Sequence, residues 1–151
     1  MFFDGPPMTD GEPAKRSRKI LLADSNQSVQ RVVRQAAEQR GHVLIQATTA
    51  ASTLILASET QPELVVLDLA FVDADGRDVL RQLKTRPDTA HIPVVVWSGR
   101  DGHESDSRIS LDLGAEDYVE KDDPGTQVDV AKDDAHLLLL KLERVLLRLD
   151  G

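Results

Sequence analysis

Five short apolar runs alternate with five segments of helical periodicity, and this alternation constrains the fold more than any other feature of the chain. The runs are KILLA (19–23), HVLIQA (42–47), LVVL (64–67), IPVVVW (92–97) and DYVE (117–120). Mostly unbroken Val, Ile and Leu is typical of parallel strands that are buried on both faces. Strands that alternate with helices form right-handed crossover units, which place helices on both sides of the sheet. The sequence therefore predicts an α/β fold with a doubly wound, five-stranded parallel sheet.

The segments between the runs carry helix signals. In the first of them, apolar residues recur at i, i+3, i+4 and i+7, as one stripe of a helix requires; they are Val29, Val32, Val33 and Ala36. Gly41 is placed to end this helix in a left-handed turn. Thr48 or Thr49 is a natural cap for the second helix, and Pro62 a natural stop. The last helix, predicted over 135–149, is the most apolar.

Composition and charge exclude several classes of protein. A chain of 151 residues suits one domain, and its lack of cysteine excludes disulfides, thiolate metal sites and cysteine nucleophiles. The first 19 residues carry four Lys/Arg and three Asp/Glu, a net charge of +1. Because the whole chain has a net charge of −8, the remainder carries about −9, which disfavours a nucleic-acid partner. No apolar run approaches the roughly 20 residues of a membrane span. We expect a cytoplasmic protein with a disordered tail at 1–18 and one folded domain at 19–151.

Polar side chains follow four of the predicted strands. They are Asp24, Asp68, Ser98 and Lys121. In an open parallel sheet, ligands bind beyond the carboxyl ends of the strands, where the strand order reverses. In the order 2-1-3-4-5, strands one and three are neighbours at that reversal, which would bring the two carboxylates together.

Paired carboxylates in one cleft repel each other, so a cation must relieve them. Oxygen ligands favour Mg²⁺, which binds few protein groups and keeps several waters. A lysine and a hydroxyl opposite could hold phosphoryl oxygens, and the set suits phosphoryl transfer onto Asp68. Each residue alone has a simpler interpretation: Asp24 as a helix cap, Ser98 as a turn residue and Lys121 as a solvated side chain. For Asp75 and Gly76, turn and helix-cap chemistry is the interpretation we adopt.

At this point the chain resembles the receiver domain of two-component response regulators, a flavodoxin-like fold of the CheY type. The segments that carry the resemblance are ILLAD (20–24), PELVVLDLAFVDADGRDVLRQLK (62–84), HIPVVVWSG (91–99) and LGAEDYVEK (113–121). The resemblance implies that Asp68 accepts a phosphoryl group from a histidine kinase or phosphotransfer protein and that Lys121 contacts that group. It also implies that Ser98 is the switch hydroxyl, that Gly99 leaves it room, and that Tyr118 is the switch aromatic.

The resemblance further implies Mg²⁺ at Asp24, Asp68 and the backbone carbonyl of Ala70. Receivers usually carry two acidic residues after the first strand, whereas here Ser25 follows Asp24. A hydroxyl is a weaker, neutral ligand, so Ser25 would bind the metal weakly or through water, and Mg²⁺ affinity should drop.

Two further departures concern the chain after Lys121. Receivers usually place a cis-linked proline there, but here Asp122 follows, so we expect a trans bond and a shifted Lys121. The loop at 122–134 is also extended and acidic. Its charged residues are Asp122, Asp123, Asp129, Asp133 and Asp134, against Lys132. Asp122 or Asp123 could supply the charge missing at Ser25; alternatively, both merely solvate the loop.

The last helix is apolar over a wider arc than one core-facing stripe requires. Its apolar residues are Leu137, Leu138, Leu139, Leu140, Leu142, Val145, Leu146, Leu147 and Leu149. The excess suggests a second buried surface, either in a homodimer or against a downstream partner protein, unless the acidic loop covers it.

Two functions remain open. The first is a stand-alone receiver, not an enzyme in the ordinary sense, that is phosphorylated on Asp68 and signals through protein contacts. The second is a pseudo-receiver, an interaction module whose degenerate metal site no longer supports phosphorylation. A flavodoxin-like cofactor binder lacks support, because no Gly-rich phosphate loop follows the first strand and aromatics are only 3% of the chain.

Overall fold

The computed structural model describes residues 17–99, 103–121 and 132–150. Five parallel strands form one sheet in the order β2-β1-β3-β4-β5. The strands are β1 (Lys19–Ala23), β2 (Val43–Ala47), β3 (Leu64–Leu67), β4 (Val94–Ser98) and β5 (Asp117–Glu120). The helices are α1 (Gln27–Gln39), α2 (Ala50–Thr60), α3 (Gly76–Thr85), α4 (His103–Asp112) and α5 (Lys132–Asp150). The predicted fold class and strand order are confirmed.

The sheet separates two hydrophobic clusters, one on each face. The first cluster joins alternate residues of the central strands to α1 and α5, and the second joins the other residues to α2 and α3. Alternation along a strand explains the division, since successive side chains point to opposite faces. Both faces of β3 are fully buried. The carboxyl ends of the central strands are therefore held rigidly between two packed layers.

The helix ends follow the local signals in the sequence. Gly41 has φ +83° just after α1, as its predicted left-handed turn requires. Thr49 caps α2 in a capping box with Ser52. That helix ends at Thr60 through Gln61, which takes the left-handed conformation before Pro62. Asp75 caps α3 by accepting the backbone N–H of Arg77 at 2.9 Å, so its predicted cap role is confirmed.

The two predicted boundary segments lie largely outside the described residues. Of the expected tail at 1–18, the structure describes Ser17 and Arg18, and Arg18 is buried and paired with Glu63 and Asp150. Helix α5 begins at Lys132, three residues before the predicted start, and 122–131 are not described. Among the described helices, none combines the length and apolarity that a bilayer span needs.

Candidate functional site

Four side chains meet at the carboxyl edge of the sheet. Asp24 directly follows β1, Asp68 follows β3, Ser98 ends β4 and Lys121 follows β5. Because these strands are sheet neighbours in the order β1-β3-β4-β5, their ends converge at one rim. All four residues are buried, with 1% to 8% of their surface exposed. The structure thus brings together the four polar residues that the sequence placed at strand ends.

The Lys121 amine bridges the two carboxylates. Its Nζ lies 2.6 Å from Asp24 Oδ2 and 2.9 Å from Asp68 Oδ2. The Lys121 backbone N–H also donates to the carbonyl of Ser98 at 2.7 Å, which fixes the residue after β5 against the end of β4. The expected displacement of this lysine therefore does not keep its amine from either carboxylate. The Lys121–Asp122 peptide bond itself lies outside the described residues.

The second oxygen of Asp68 accepts two hydrogen bonds. The Ser98 hydroxyl donates to Oδ1 at 3.0 Å, and the Ala70 backbone N–H donates to it at 3.1 Å. Because one donor comes from β4 and the other from the loop after β3, the two bonds hold the carboxylate in one orientation. Asp68 consequently lies between the hydroxyl, the amine and the loop that follows β3.

The loop after β3 is pinned at both ends of its turn. Ala70 and Asp75 form an isolated antiparallel bridge, and the Gly76 N–H donates to the Leu69 carbonyl at 3.1 Å. Asp73 also caps a neighbouring helix, because its carboxylate accepts the first N–H groups of α2, from Ala50 at 2.9 Å and Ala51 at 3.2 Å. These contacts fix the Ala70 carbonyl and N–H beside Asp68.

Tyr118 and Gly99 lie next to the cluster. Tyr118 is half-buried on β5, where it pairs with Val96 and its ring packs against the second hydrophobic cluster. Burial raises the pKa of its phenol above the ordinary value. Around Gly99, a side-chain methyl would meet no atom of the described residues within 4 Å, so they leave space beside Ser98. The switch roles of Ser98 and Tyr118 stay predictions.

The candidate metal ligands are oxygen atoms of the kind that Mg²⁺ prefers. Besides the two carboxylates, the Ser25 hydroxyl and the Ala70 carbonyl lie together, since Ser25 Oγ donates to that carbonyl at 3.3 Å. Over the ranges that the structure describes, no group of three or more Asp, Glu, His or Cys residues gathers as a metal site. Mg²⁺ commonly uses only one or two protein carboxylates. The residues therefore fit Mg²⁺ in type, with one carboxylate fewer than the family pattern implies.

Burial and charge act in opposite senses within this cluster. Loss of hydration raises the pKa of Asp24, and the neighbouring Asp68 charge raises it further, while Lys121 opposes both. Burial alone would lower the pKa of Lys121, but the Asp68 and Asp24 carboxylates outweigh it and raise that pKa. Two carboxylates and one ammonium leave a net negative charge in a site that is shielded from water. A bound cation would offset that charge.

We expect Asp24→Asn to raise the free energy of unfolding at pH 7 in the absence of divalent cations. A carboxyl whose pKa is raised on folding stabilises the fold when protonated, and that contribution is lost as pH rises through the raised pKa. The amide keeps the shape and removes the charge. Urea denaturation between pH 4 and pH 8 tests this: the wild type should lose stability with rising pH more steeply than the variant. If the stability of the wild type and that of Asp24→Asn fell equally steeply with rising pH, folding would not raise the pKa of Asp24.

A sequence profile of the response regulator receiver domain matches residues 20–131, a range that contains all four cluster residues. The chain belongs to the response regulator receiver family. Its curated relatives agree. It is 35% identical over 102 residues to the KDP operon transcriptional regulatory protein KdpE of Escherichia coli, across 68% of this chain and 44% of that protein. It is 38% identical over 102 residues to KdpE of Mycobacterium tuberculosis, across 68% of this chain and 43% of that protein.

Solved receiver structures have the same fold. The Mn²⁺-bound response regulator Rcp1 is 26% identical with a TM-score of 0.67, over 83% of this chain and 91% of that one. The phosphorylated cyanobacterial phytochrome response regulator RcpA is 25% identical with a TM-score of 0.71, over 87% and 95%. This chain is thus a receiver domain of a two-component response regulator, a signalling module. It spans less than half the length of the curated relatives above.

Two features of the site escaped the sequence reasoning. The indole ring of Trp97 lies under the Lys121 amine, 4.9 Å from Nζ to the ring centroid. Buried Gln30 donates its amide N–H groups to the carbonyls of Leu22, Asp24 and Ala47, which ties the ends of β1 and β2 together. The only available signal for Trp97 was its place directly before Ser98. Asp122 and Asp123, proposed as substitute charges, lie outside the described residues.

Proposed function

We propose that this receiver accepts a phosphoryl group on Asp68 from a histidine kinase or phosphotransfer protein and signals by phosphorylation-dependent protein contacts. The observation that carries the proposal is the contact set of the Asp68 carboxylate. It is bonded at once to an ammonium, a hydroxyl and a backbone N–H. The same three donors are the groups that a transferred phosphoryl group needs around its oxygens.

The chemistry requires one bond to form and one to break. A carboxylate oxygen of Asp68 attacks phosphorus and forms an acyl phosphate, while the bond from phosphorus to the donor's nitrogen or oxygen breaks and the donor leaves with that electron pair. A phosphohistidine that carries a proton on its other ring nitrogen leaves as neutral imidazole, so the step needs no further proton. Lys121 and Ser98, which hold Asp68 in the resting site, can then donate to the phosphoryl oxygens. The buried rim limits the access of water.

Mg²⁺, when bound by Asp24, Asp68 and the Ala70 carbonyl, would neutralise charge on the incoming phosphoryl group. Two similar solved structures support this proposal: Rcp1 was solved with a divalent cation, Mn²⁺, and RcpA was solved in a phosphorylated form. In this chain Ser25 supplies a neutral oxygen where the family pattern implies an acid, so binding should be weak. We therefore expect transfer to need a higher Mg²⁺ concentration than in receivers with two acidic residues after the first strand.

The second candidate function is a pseudo-receiver, an interaction module without phosphoryl chemistry. The observation that favours it is the Lys121 bridge, since the amine already neutralises part of the charge that would attract a metal. Ser25 points in the same direction. Against it stands the unbroken set of contacts around Asp68.

Phosphoryl uptake separates the two candidates. We expect incubation with acetyl phosphate and Mg²⁺ to add the mass of one phosphoryl group to the wild type and none to Asp68→Asn, measured on the intact protein. Ser25→Asp restores a second acidic residue after β1 and should strengthen Mg²⁺ binding. It should therefore reach the same extent of modification at a lower Mg²⁺ concentration. Absence of added mass in both the wild type and Ser25→Asp would favour the pseudo-receiver. Modification that persists in Asp68→Asn would contradict the phosphoacceptor assignment.

The output of the protein is proposed at a coarser level. Because the relatives extend well beyond the matched region, stand-alone action stays a prediction. So does a homodimer through the last helix. Its support is a set of large apolar side chains exposed on α5, namely Leu137, Leu140, Leu147 and Leu149.

A further inference from the structure

We propose that Trp97 is a positioning residue that holds the Lys121 amine between Asp24 and Asp68. The distance from Nζ to the centre of the indole ring is 4.9 Å, inside the range of a cation–π contact. The consequence for phosphorylation rests on the proposed function, but the contact itself does not.

The Trp97 ring cannot move freely. Only 3% of the residue is exposed, and it belongs to the hydrophobic cluster that joins the sheet to α1 and α5. Along the sheet, β4 pairs with β5 in a register that places Trp97 beside Val119 and Ser98 beside Glu120. The indole ring is therefore held in place beside the edge of the sheet where the two carboxylates lie.

The Lys121 amine contacts the Trp97 ring on the side that is not hydrogen-bonded to the two carboxylates. An ammonium carries three N–H donors, and among the described residues its two acceptors are Asp24 and Asp68. The ring presents its negative π-face, which attracts a cation more strongly where water is excluded. Lys121 is 8% exposed, so solvent screens this attraction little. Within the described ranges, the amine thus contacts two carboxylates and one aromatic face.

A flexible stem explains why the support matters. Lysine reaches its partners through four methylene groups, and a buried lysine must give up that rotational freedom. Here the residue after it is Asp122 rather than a conformationally restricted proline. The hydrogen bond from the Lys121 backbone N–H to the Ser98 carbonyl fixes the start of the side chain, and the Trp97 ring fixes its amine end. Leucine would fill much of the space and offer no π-face.

Lysine-selective NMR of the intact chain tests the contact directly. The Lys121 ε-methylene and ammonium signals, assigned by their loss in Lys121→Arg, should be shifted upfield by the ring current of Trp97. The ammonium protons should also exchange slowly with water. Trp97→Phe should retain part of the upfield shift and the slow exchange, and Trp97→Leu should lose both. Val145→Ala, a cavity in the same hydrophobic cluster, is the control for packing loss and should leave the Lys121 signals in place.

The rate of phosphoryl uptake supplies the functional arm. We expect Trp97→Leu to slow uptake from acetyl phosphate by about tenfold and Trp97→Phe by only a few-fold, as partial rescue by an aromatic ring requires. Wild-type signals without an upfield shift, or equal Lys121 signals and rates in the Phe and Leu variants, would overturn the proposal. If the NMR results hold but the wild type takes no phosphoryl group, the proposed function fails and the positioning role stands. If Trp97→Leu does not fold, the wild-type shift and Trp97→Phe still decide.

Discussion

Lys121→Met should lower the free energy of unfolding at neutral pH by about 3 kcal/mol, because it leaves two buried carboxylates without their cation. The amine now lies 2.6 Å from Asp24 and 2.9 Å from Asp68, and it opposes the burial of both. Methionine keeps the apolar stem and removes only the charge. Urea denaturation without divalent cations at pH 7.5 measures the loss. Since the pKa of Asp24 is already raised, the deficit should shrink as pH falls and the carboxyl takes up a proton.

Two matched variants separate this effect from a general loss of lysine. Lys141→Met, at an exposed position of α5, should change stability little. The double variant Asp24→Asn/Lys121→Met should recover much of the deficit, because only one carboxylate is left uncompensated. Mg²⁺ should also stabilise Lys121→Met more than the wild type, since the metal replaces the missing charge. If Lys121→Met is as stable as Lys141→Met at pH 7.5, the amine does not neutralise the pair.

Gly76→Ala should be among the most destabilising single methyl additions in the protein, with an expected loss of about 3 kcal/mol or more. A Cβ at this position would lie 2.4 Å from Leu69 Cα and 2.5 Å from the Leu69 carbonyl oxygen. Both neighbours are backbone atoms, so no side-chain rotation can relieve the overlap. The chain must instead move the turn after β3, which carries Ala70 beside Asp68. Chemical denaturation measures the loss of stability.

Gly99→Ala is the matched control, because its new methyl would meet no atom within 4 Å in the part of the chain that the structure describes. It adds the same group at the same rim of the sheet and should change stability by less than about 0.5 kcal/mol. A stable Gly76→Ala variant whose denaturation midpoint matches that of Gly99→Ala would show that the turn after β3 is free to shift. That result would remove the structural reason for a fixed Ala70 carbonyl at the site.

The architecture was predictable from the sequence because its signals are local or follow simple rules. Short apolar runs with helices between them define a parallel sheet, and the residue after each run must lie at the carboxyl edge. Asp24, Asp68, Ser98 and Lys121 meet there for that reason. Gly41 and Asp75 likewise take the turn and cap roles that their residue types favour.

The finer contacts of the site were not predictable, because they depend on side-chain paths across the sheet. Nothing in a separation of 24 residues indicates that the Trp97 ring lies under the Lys121 amine. The sequence indicated a metal site between Asp24 and Asp68 but did not show that Lys121 bridges both. The role of Gly76 also depends on a close approach to Leu69 that only the tertiary structure fixes. In each case packing between distant segments decides the contact.

Chemical trapping of the phosphorylated residue tests the central claim most directly. The wild-type chain is incubated with acetyl phosphate and Mg²⁺ and then treated with borohydride, which reduces an acyl phosphate to an alcohol and converts that aspartate to homoserine. Peptide mapping by mass spectrometry then locates the change. We predict homoserine at position 68, and its absence when Mg²⁺ is removed by a chelator. Homoserine at Asp24 or another carboxylate, or no homoserine in a chain that gained phosphoryl mass, would contradict the account.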